Sequence, residues 1–241
     1  AEEESFRSRV WQEHVTRLYQ NGTPILDDLE ELGLRPSDLT GLFEAASSYP
    51  ELDLYTNPPA TPPDLDDAVR TVKSFVETWQ SRRPDPPINE RGGAQKALDR
   101  AENVLSNQSL DTPAQKARLL QIVEEGYKNS KEQGNVTLKA WGARGTDIRD
   151  QARDLRDEIY PDLVENTLRP VLRDWKAHVH EKAIELVRPA TKQYLTARRT
   201  EGQLTHHDVL YHTKNLLRDN PDVRRRVHNR FPRLLVDEFQ D

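Results

Sequence analysis

The 241-residue chain contains no cysteine and no methionine. Without a thiol there is no disulfide framework, no thiolate metal site and no cysteine nucleophile. No apolar run approaches the roughly 20 residues that a helix needs to cross a bilayer, and no charged-then-apolar leader opens the chain. A membrane partner is therefore not expected, and a cytoplasmic location is. A chain that begins at Ala1 and holds no methionine reads as a piece of a longer or processed protein. Glycine is sparse, with 10 residues, and no Gly-x-x-x-x-Gly-Lys-Ser/Thr loop occurs. The nearest approach, Arg91-Gly92-Gly93-Ala94, lacks the lysine and hydroxyl that phosphates and Mg²⁺ require.

What is present suits one large domain or two small ones. Hydrophobic residues make up 34% of the chain and charged residues 32%, with a mean hydropathy of −0.89, which still leaves enough Leu, Val, Trp and Phe for a core. The net charge of −6 is unevenly spread. Residues 1–110 carry 11 Lys and Arg against 20 Asp and Glu, whereas residues 111–241 carry 24 against 21. An acidic first half does not suit a polyanion; the second half can face one, although solvated helix faces explain a modest Arg excess as well.

Proline divides the chain. Asn57-Pro58-Pro59-Ala60-Thr61-Pro62-Pro63 and Arg83-Pro84-Asp85-Pro86-Pro87 exclude helix interiors, because each ring removes an amide donor and clashes with the preceding turn. Between the breaks the apolar spacing is helical. Phe6, Val10, Trp11, Val15 and Leu18 share one side of residues 5–20, and Thr23-Pro24 opens a short helix that Gly33 closes. Ser37 begins another, with Leu39, Leu42 and Phe43 inward. Residues 64–82 place Leu65, Val69, Val72, Phe75, Val76 and Trp79 on a stripe, and helices are expected over 93–106 and 112–130. Val136-Thr137-Leu138 reads as extended, and residues 146–200 form a long helical pattern with bends expected at Pro161, Pro170 and Pro189. The character changes near the end: Phe231-Pro232-Arg233-Leu234-Leu235-Val236 is apolar on both faces, as in a central parallel strand.

That run leads into Asp237-Glu238-Phe239-Gln240-Asp241, the one sharp chemical signal. A buried strand that delivers two adjacent carboxylates at its C-terminal end puts them where ligands sit in open parallel sheets. Hard, oxygen-seeking Mg²⁺ suits an Asp there, and a neighbouring Glu can polarise an attacking water. An acidic surface turn after a core strand would give the same letters.

The approach to this motif runs Tyr194-Leu195-Thr196-Ala197-Arg198-Arg199-Thr200-Glu201-Gly202-Gln203-Leu204-Thr205-His206-His207-Asp208-Val209-Leu210, then Leu216-Leu217-Arg218-Asp219-Asn220-Pro221 and Val223-Arg224 to Arg230-Phe231. In order and spacing it resembles UvrD-like superfamily 1A DNA helicases just upstream of their second conserved motif, with His206 standing where the family usually has an aromatic. The resemblance implies a mainly α chain: a multi-helix accessory region like the family's 1B domain over 1–190, then over 191–241 the final helix and strand of a RecA-like α/β ATPase core. It implies Asp237 as the magnesium-side acid, Glu238 as catalytic base and second metal-side acid, and Gln240 as nucleotide sensor and coupler to DNA. ATP and Mg²⁺ are the implied cofactors. The implied partners are single-stranded and duplex DNA and the rest of the helicase chain. The implied process is 3′-to-5′ translocation in repair or recombination. Leu32-Gly33-Leu34-Arg35-Pro36-Ser37-Asp38-Leu39 and Lys139-Ala140-Trp141-Gly142 look like helicase–nuclease large subunits of the AddA/RecB type, which brings an exonuclease role and a second nuclease or helicase subunit into view. Lacking the phosphate loop, the chain is expected neither to hydrolyse ATP nor to unwind DNA by itself.

Weaker constellations have simpler readings. His206, His207 and His212 do not converge on one helix face, and His178 and His180 point to opposite sides. Trp11, Trp79 and Trp175 sit at core spacing, so Trp141, with Arg144 nearby, is the candidate for base stacking. Arg224 and Arg225 are candidates for phosphate contact. Thr205 with Asp208 reads as a helix N-cap with an acid at the third position. The rival from another class is a helical protein-interaction domain in which the terminal acids are incidental.

Overall fold

The computed structural model describes residues 2–49, 54, 61–82, 93–133, 145–204 and 206–233. These form helices α1 (Glu2–Asn21), α2 (Ile25–Glu31), α3 (Thr40–Ser48), α4 (Asp66–Arg82), α5 (Gly93–Asn107), α6 (Pro113–Gln133), α7 (Asp147–Asp154), α8 (Tyr160–Asp162), α9 (Arg169–Thr200), α10 (His206–Asp219) and α11 (Pro221–Arg230). The protein is mainly α-helical, and no strand occurs among the described residues. No helix among them is long and apolar enough to cross a membrane. Val136-Thr137-Leu138, expected to be extended, lies outside the described residues; of Phe231–Val236, expected to be a buried strand, Phe231, Pro232 and Arg233 are described, exposed and in no strand, and Leu234–Val236 lie outside the described residues.

Several helix ends carry the signals expected of them. Gly33, at φ +70°, ends α2: its N–H donates to Glu30 O at 2.9 Å and that of Leu34 reaches back to Leu29 O at 2.8 Å. Thr112-Pro113-Ala114-Gln115 is a capping box. The Gln115 N–H donates to Thr112 Oγ1 at 3.3 Å, while Gln115 Oε1 accepts from the Asp111 and Thr112 amides at 3.0 Å. Ser37, expected to start a helix, lies inside a single 3₁₀ turn, Pro36–Leu39, and the α-helix follows at Thr40. There the Asp38 carboxylate accepts from the Arg35 amide at 2.8 Å and tightens the entry.

Residues 147–200 are helical throughout, and two of their prolines follow widened turns. Leu155–Ile159 and Leu163–Leu168 widen into π turns. Tyr160 N–H reaches Leu155 O and Arg169 N–H reaches Val164 O, each spanning five residues immediately before Pro161 and Pro170. A wider turn relieves the clash between a proline ring and the carbonyl four residues earlier. Pro189 sits inside α9 without ending it.

The chain divides into two compact units. One comprises residues 21–38 and 56–185. Its core joins the α4 stripe (Val72, Phe75, Val76, Trp79), Ala94, Ala97, Leu98 and Ala101 of α5, Leu119, Leu120 and Val123 of α6, and Leu155, Tyr160, Leu163, Leu168 and Trp175. Helices α5 and α6 approach closely because the residues between them are small. A Cβ on Gly126 would lie 2.4 Å from Ala97 Cβ and 2.7 Å from the Tyr160 hydroxyl. That hydroxyl donates to Val123 O at 2.6 Å, and burial pushes its pKa up. Lys182 Nζ reaches Asp28 Oδ2 at 2.6 Å and fastens α2 to the first half of α9.

The other unit comprises residues 1–20, 39–55 and 186–241. Its core is aromatic: Trp11 stacks on Phe43 with centroids 4.8 Å apart, and Tyr194 meets Phe6 at 5.7 Å and the edge of Phe43 at 6.0 Å. His14 is buried beside them, with Nε2 3.2 Å from Leu186 O, and burial lowers its pKa.

Candidate nucleotide and nucleic-acid site

The candidate site lies at the end of the second of these units, and the described structure supplies its approach. The basic helix α9 ends in two carbonyl-satisfying bonds around Gly202, which adopts φ +71°. Gly202 N–H donates to Arg199 O at 3.3 Å and Gln203 N–H to Arg198 O at 2.9 Å.

Arg198 and Asp208 close the corner between α9 and α10. Their side chains are each 4% exposed and form an ion pair. Arg198 Nε also donates to Gln203 O at 3.1 Å, and its guanidinium lies 5.2 Å from the Tyr194 ring centre. Arg199 Nε donates to His212 Nε2 at 3.1 Å, and Arg9 Nη2 donates to both oxygens of Glu201 at 3.1 Å. Asp208, expected at the third position of a helix cap, pairs with Arg198; Thr205 lies outside the described residues.

The second corner joins α10 to α11. Asn220 folds back on α10, its amide and its Nδ2 both reaching Leu216 O at 3.1 Å. Pro221 then takes the first helical position of α11. Arg224 Nη1 donates to Leu217 O at 3.0 Å and to Arg218 O at 3.2 Å, so a cation meets the last carbonyls of α10. Arg225 pairs with Asp222 at 3.4 Å, and Arg226 is exposed. Arg218 and Asp219 bond side by side at 2.7 and 3.1 Å, which raises the guanidinium pKa and lowers that of the carboxylate.

No residue of α11 is buried. Residues 206–233 hold seven Lys and Arg against three Asp. Between these charges Val209, Leu210, Leu216, Val227 and Phe231 are exposed, and Arg230 lies over the Phe231 ring at 5.5 Å.

Of the residues singled out from the sequence, Arg224 and Arg225 lie together on α11. Asp237, Glu238 and Gln240 lie outside the described residues, as do Trp141 and Arg144. Trp11, Trp79 and Trp175 are all core residues, as their spacing suggested. His178 is buried and His180 exposed, on opposite sides of α9. Among the described residues no group of three or more His, Asp or Glu is placed to hold a metal ion.

Sequence reasoning missed Arg198. The only available signal was an arginine in the last turn of a basic helix, ten positions before an acid in the first turn of the next, and that pattern is also what a solvated helix end looks like.

Comparison with known proteins gives one family match: the model of the UvrD/REP helicase N-terminal domain covers residues 68–241. Neither a curated protein nor a solved structure matches the chain.

Proposed function

Because the chain belongs to the UvrD/REP helicase family, whose members are ATP-dependent DNA helicases using Mg²⁺, we propose that it works inside a larger 3′-to-5′ DNA translocase of repair or recombination. Within that protein, residues 1–190 are the helical accessory region, like the family's 1B domain, and residues 191–241 return to the ATPase core. The subtype we favour is the AddA/RecB-type helicase–nuclease large subunit, acting in the cytoplasm with a second nuclease or helicase subunit. The observation that carries the reading is Asp237-Glu238-Phe239-Gln240-Asp241, at the end of a family match that runs through the α9–α10–α11 approach.

The chemistry follows from the residue types. Bound Mg²⁺ neutralises charge on the ATP phosphates. Asp237 would hold the metal, and Glu238 would accept the proton of the attacking water. Gln240 senses the nucleotide and relays its state to bound DNA. Since the sequence lacks a Gly-x-x-x-x-Gly-Lys-Ser/Thr loop, the lysine that cradles the phosphates comes from elsewhere in the helicase. DNA meets Arg224 and Arg225 through phosphates and Trp141 and Arg144 through stacking and charge.

The test is Glu238→Gln in the intact helicase. Removing a general base lowers ATP turnover roughly 100-fold or more, while nucleotide binding, followed with a fluorescent ATP analogue, stays within about 3-fold, about 0.6 kcal/mol. Unchanged turnover would take Glu238 out of the mechanism.

A further inference from the structure

Within the unit of residues 21–38 and 56–185, a cleft of about 230 Å³ opens between α2, the Pro62-Pro63 stretch that leads into α4, the start of α6 and the first half of α9. The proposed ATP chemistry uses none of its residues. Trp175, His178 and Lys182 follow one another at helical spacing, so one face of α9 forms a wall. Trp175 and His178 are buried, with ring centres 6.4 Å apart. Pro62 and Pro63 add rigid apolar surface. Apolar walls carrying a few charged groups are the usual make-up of a small-ligand site. Sites for drug-sized molecules run from about 300 to 1,000 Å³, so this one suits a single short chain.

The charge around the cleft favours a cation. Asp28 and Glu31 stand one turn apart on α2, and Lys182 is the one lysine or arginine in the lining. That lysine is already satisfied. Its Nζ donates to Asp28 Oδ2 at 2.6 Å and to Glu185 Oε2 at 3.3 Å. The Asp28 bond raises its pKa, so it stays protonated. Three carboxylates thus share one ammonium. Asp28 Oδ1 bonds to no described residue, and the exposed Glu31 carboxylate pairs with none of them. An anion finds no comparable welcome: Pro113, at the start of α6, brings no amide, and the Gln115 amide is already held by Thr112 Oγ1.

We propose that this cleft binds a small organic cation, an alkylguanidinium or alkylammonium ion, whose nitrogens meet the Asp28 and Glu31 carboxylates while its carbon chain lies against Trp175 and the two prolines. A guanidinium suits the lining best, because it is planar, bonds carboxylates through two parallel N–H groups and packs on an indole. Four segments of one unit surround the cleft, so the occupant is a free small molecule. The site goes beyond the helicase reading and does not depend on it, since occupancy requires neither ATP nor DNA.

The experiment titrates the intact protein, without nucleotide and at low salt, with butylguanidinium chloride, followed by saturation-transfer NMR and calorimetry. For an ion of this size a Kd on the order of 1 mM is expected. Pentanoate and n-pentanol, the anionic and neutral counterparts, are expected to bind about 10-fold more weakly or not at all. Glu31→Gln leaves the melting temperature unchanged and weakens butylguanidinium about 3- to 5-fold, the size of a partly exposed ion pair. Asp28→Asn also releases Lys182, whose charge then opposes the ligand, and is expected to weaken it more. Failure to saturate by about 20 mM would overturn the proposal. So would equal affinity for n-pentanol, which would make the cleft a merely apolar hollow. A Kd that neither Glu31→Gln nor Asp28→Asn changes would place the cation elsewhere. Arginine capped on both sides as acetyl and methylamide separates the remaining source: binding about 10-fold tighter than butylguanidinium would make the occupant a side chain of another protein and overturn the small-molecule assignment.

Discussion

Replacing Gly126 by alanine tests the packing of α5 against α6. In an isolated helix the change is favourable by about 1 kcal/mol, because glycine carries the larger entropy cost of ordering. Here the added methyl would sit 2.4 Å from Ala97 Cβ and 2.7 Å from the Tyr160 hydroxyl. Carbon atoms in contact prefer about 3.5–4.0 Å, so α5 must withdraw from α6 by more than about 1 Å. Tyr160 cannot simply swing aside, because its hydroxyl holds Val123 O at 2.6 Å and its ring packs against Phe75 and Tyr127. Forcing a methyl into such a core costs about 1–3 kcal/mol, and losing the Tyr160 hydrogen bond adds about 1 kcal/mol. After the propensity gain, a net loss of about 1–3 kcal/mol remains. At roughly 2–4 °C per kcal/mol for a chain of this size, melting falls by about 3–10 °C in differential scanning calorimetry. Ala97→Gly removes the shorter of the two contacts but itself costs about 1 kcal/mol of helix propensity, so it is expected to cost less in the Gly126→Ala background than in wild type. A Gly126→Ala protein as stable as wild type would refute the close approach of the two helices.

Gly33→Ala and Gly41→Ala make a contrasting pair. Gly33 sits at φ +70° with Ala114 Cβ 3.0 Å from where its own would be, and is expected to lose about 1–2 kcal/mol in urea unfolding. Gly41 has open space and is expected to gain up to about 1 kcal/mol; equal effects would contradict the left-handed cap. His14 gives the pH dependence. Its pKa is lowered by burial, with Arg17 adding to the shift and Leu186 O opposing it, so the unfolded chain binds this proton first as pH falls. Stability is therefore complete above the unfolded pKa near 6.5 and declines as pH drops from there towards the folded value. Urea midpoints between pH 7 and 5 should fall more steeply for wild type than for His14→Asn, and parallel curves would exclude His14. For DNA, Arg224→Ala and Arg225→Ala should each flatten the dependence of log K on log salt by roughly 0.7 with a single strand. A slope that neither change moves would place phosphates elsewhere.

Much of this architecture is local and was readable as such. The α4 stripe from Val72 to Trp79, the end of α2 at Gly33 and the box at Thr112–Gln115 each use residues within one or two turns of each other, so spacing alone specifies them. Pro161 and Pro170 were harder. A proline announces that a carbonyl loses its donor, but not that the turn before it widens, as it does over Leu155–Ile159 and Leu163–Leu168. Gly126 was not readable at all. Its meaning comes from Ala97 and Tyr160, which approach it only once α5, α6 and the residues around Pro161 have assembled.

The same distinction separates the two parts of the candidate site. Asp237 and Glu238 are adjacent in sequence after an apolar run, so their chemistry is written in one short segment. Arg198 and Asp208 are separated by a glycine turn, and each by itself fits an ordinary helix terminus. Their burial is what gives them meaning. An arginine left in water at a helix C-terminus is worth a fraction of a kcal/mol and tolerates many orientations; one held by a carboxylate, a carbonyl and an aromatic face tolerates only one. A chain that needed only to attach α10 to α9 could use leucines there. Two buried charges make physical sense where the direction in which α10 leaves the corner has to be fixed.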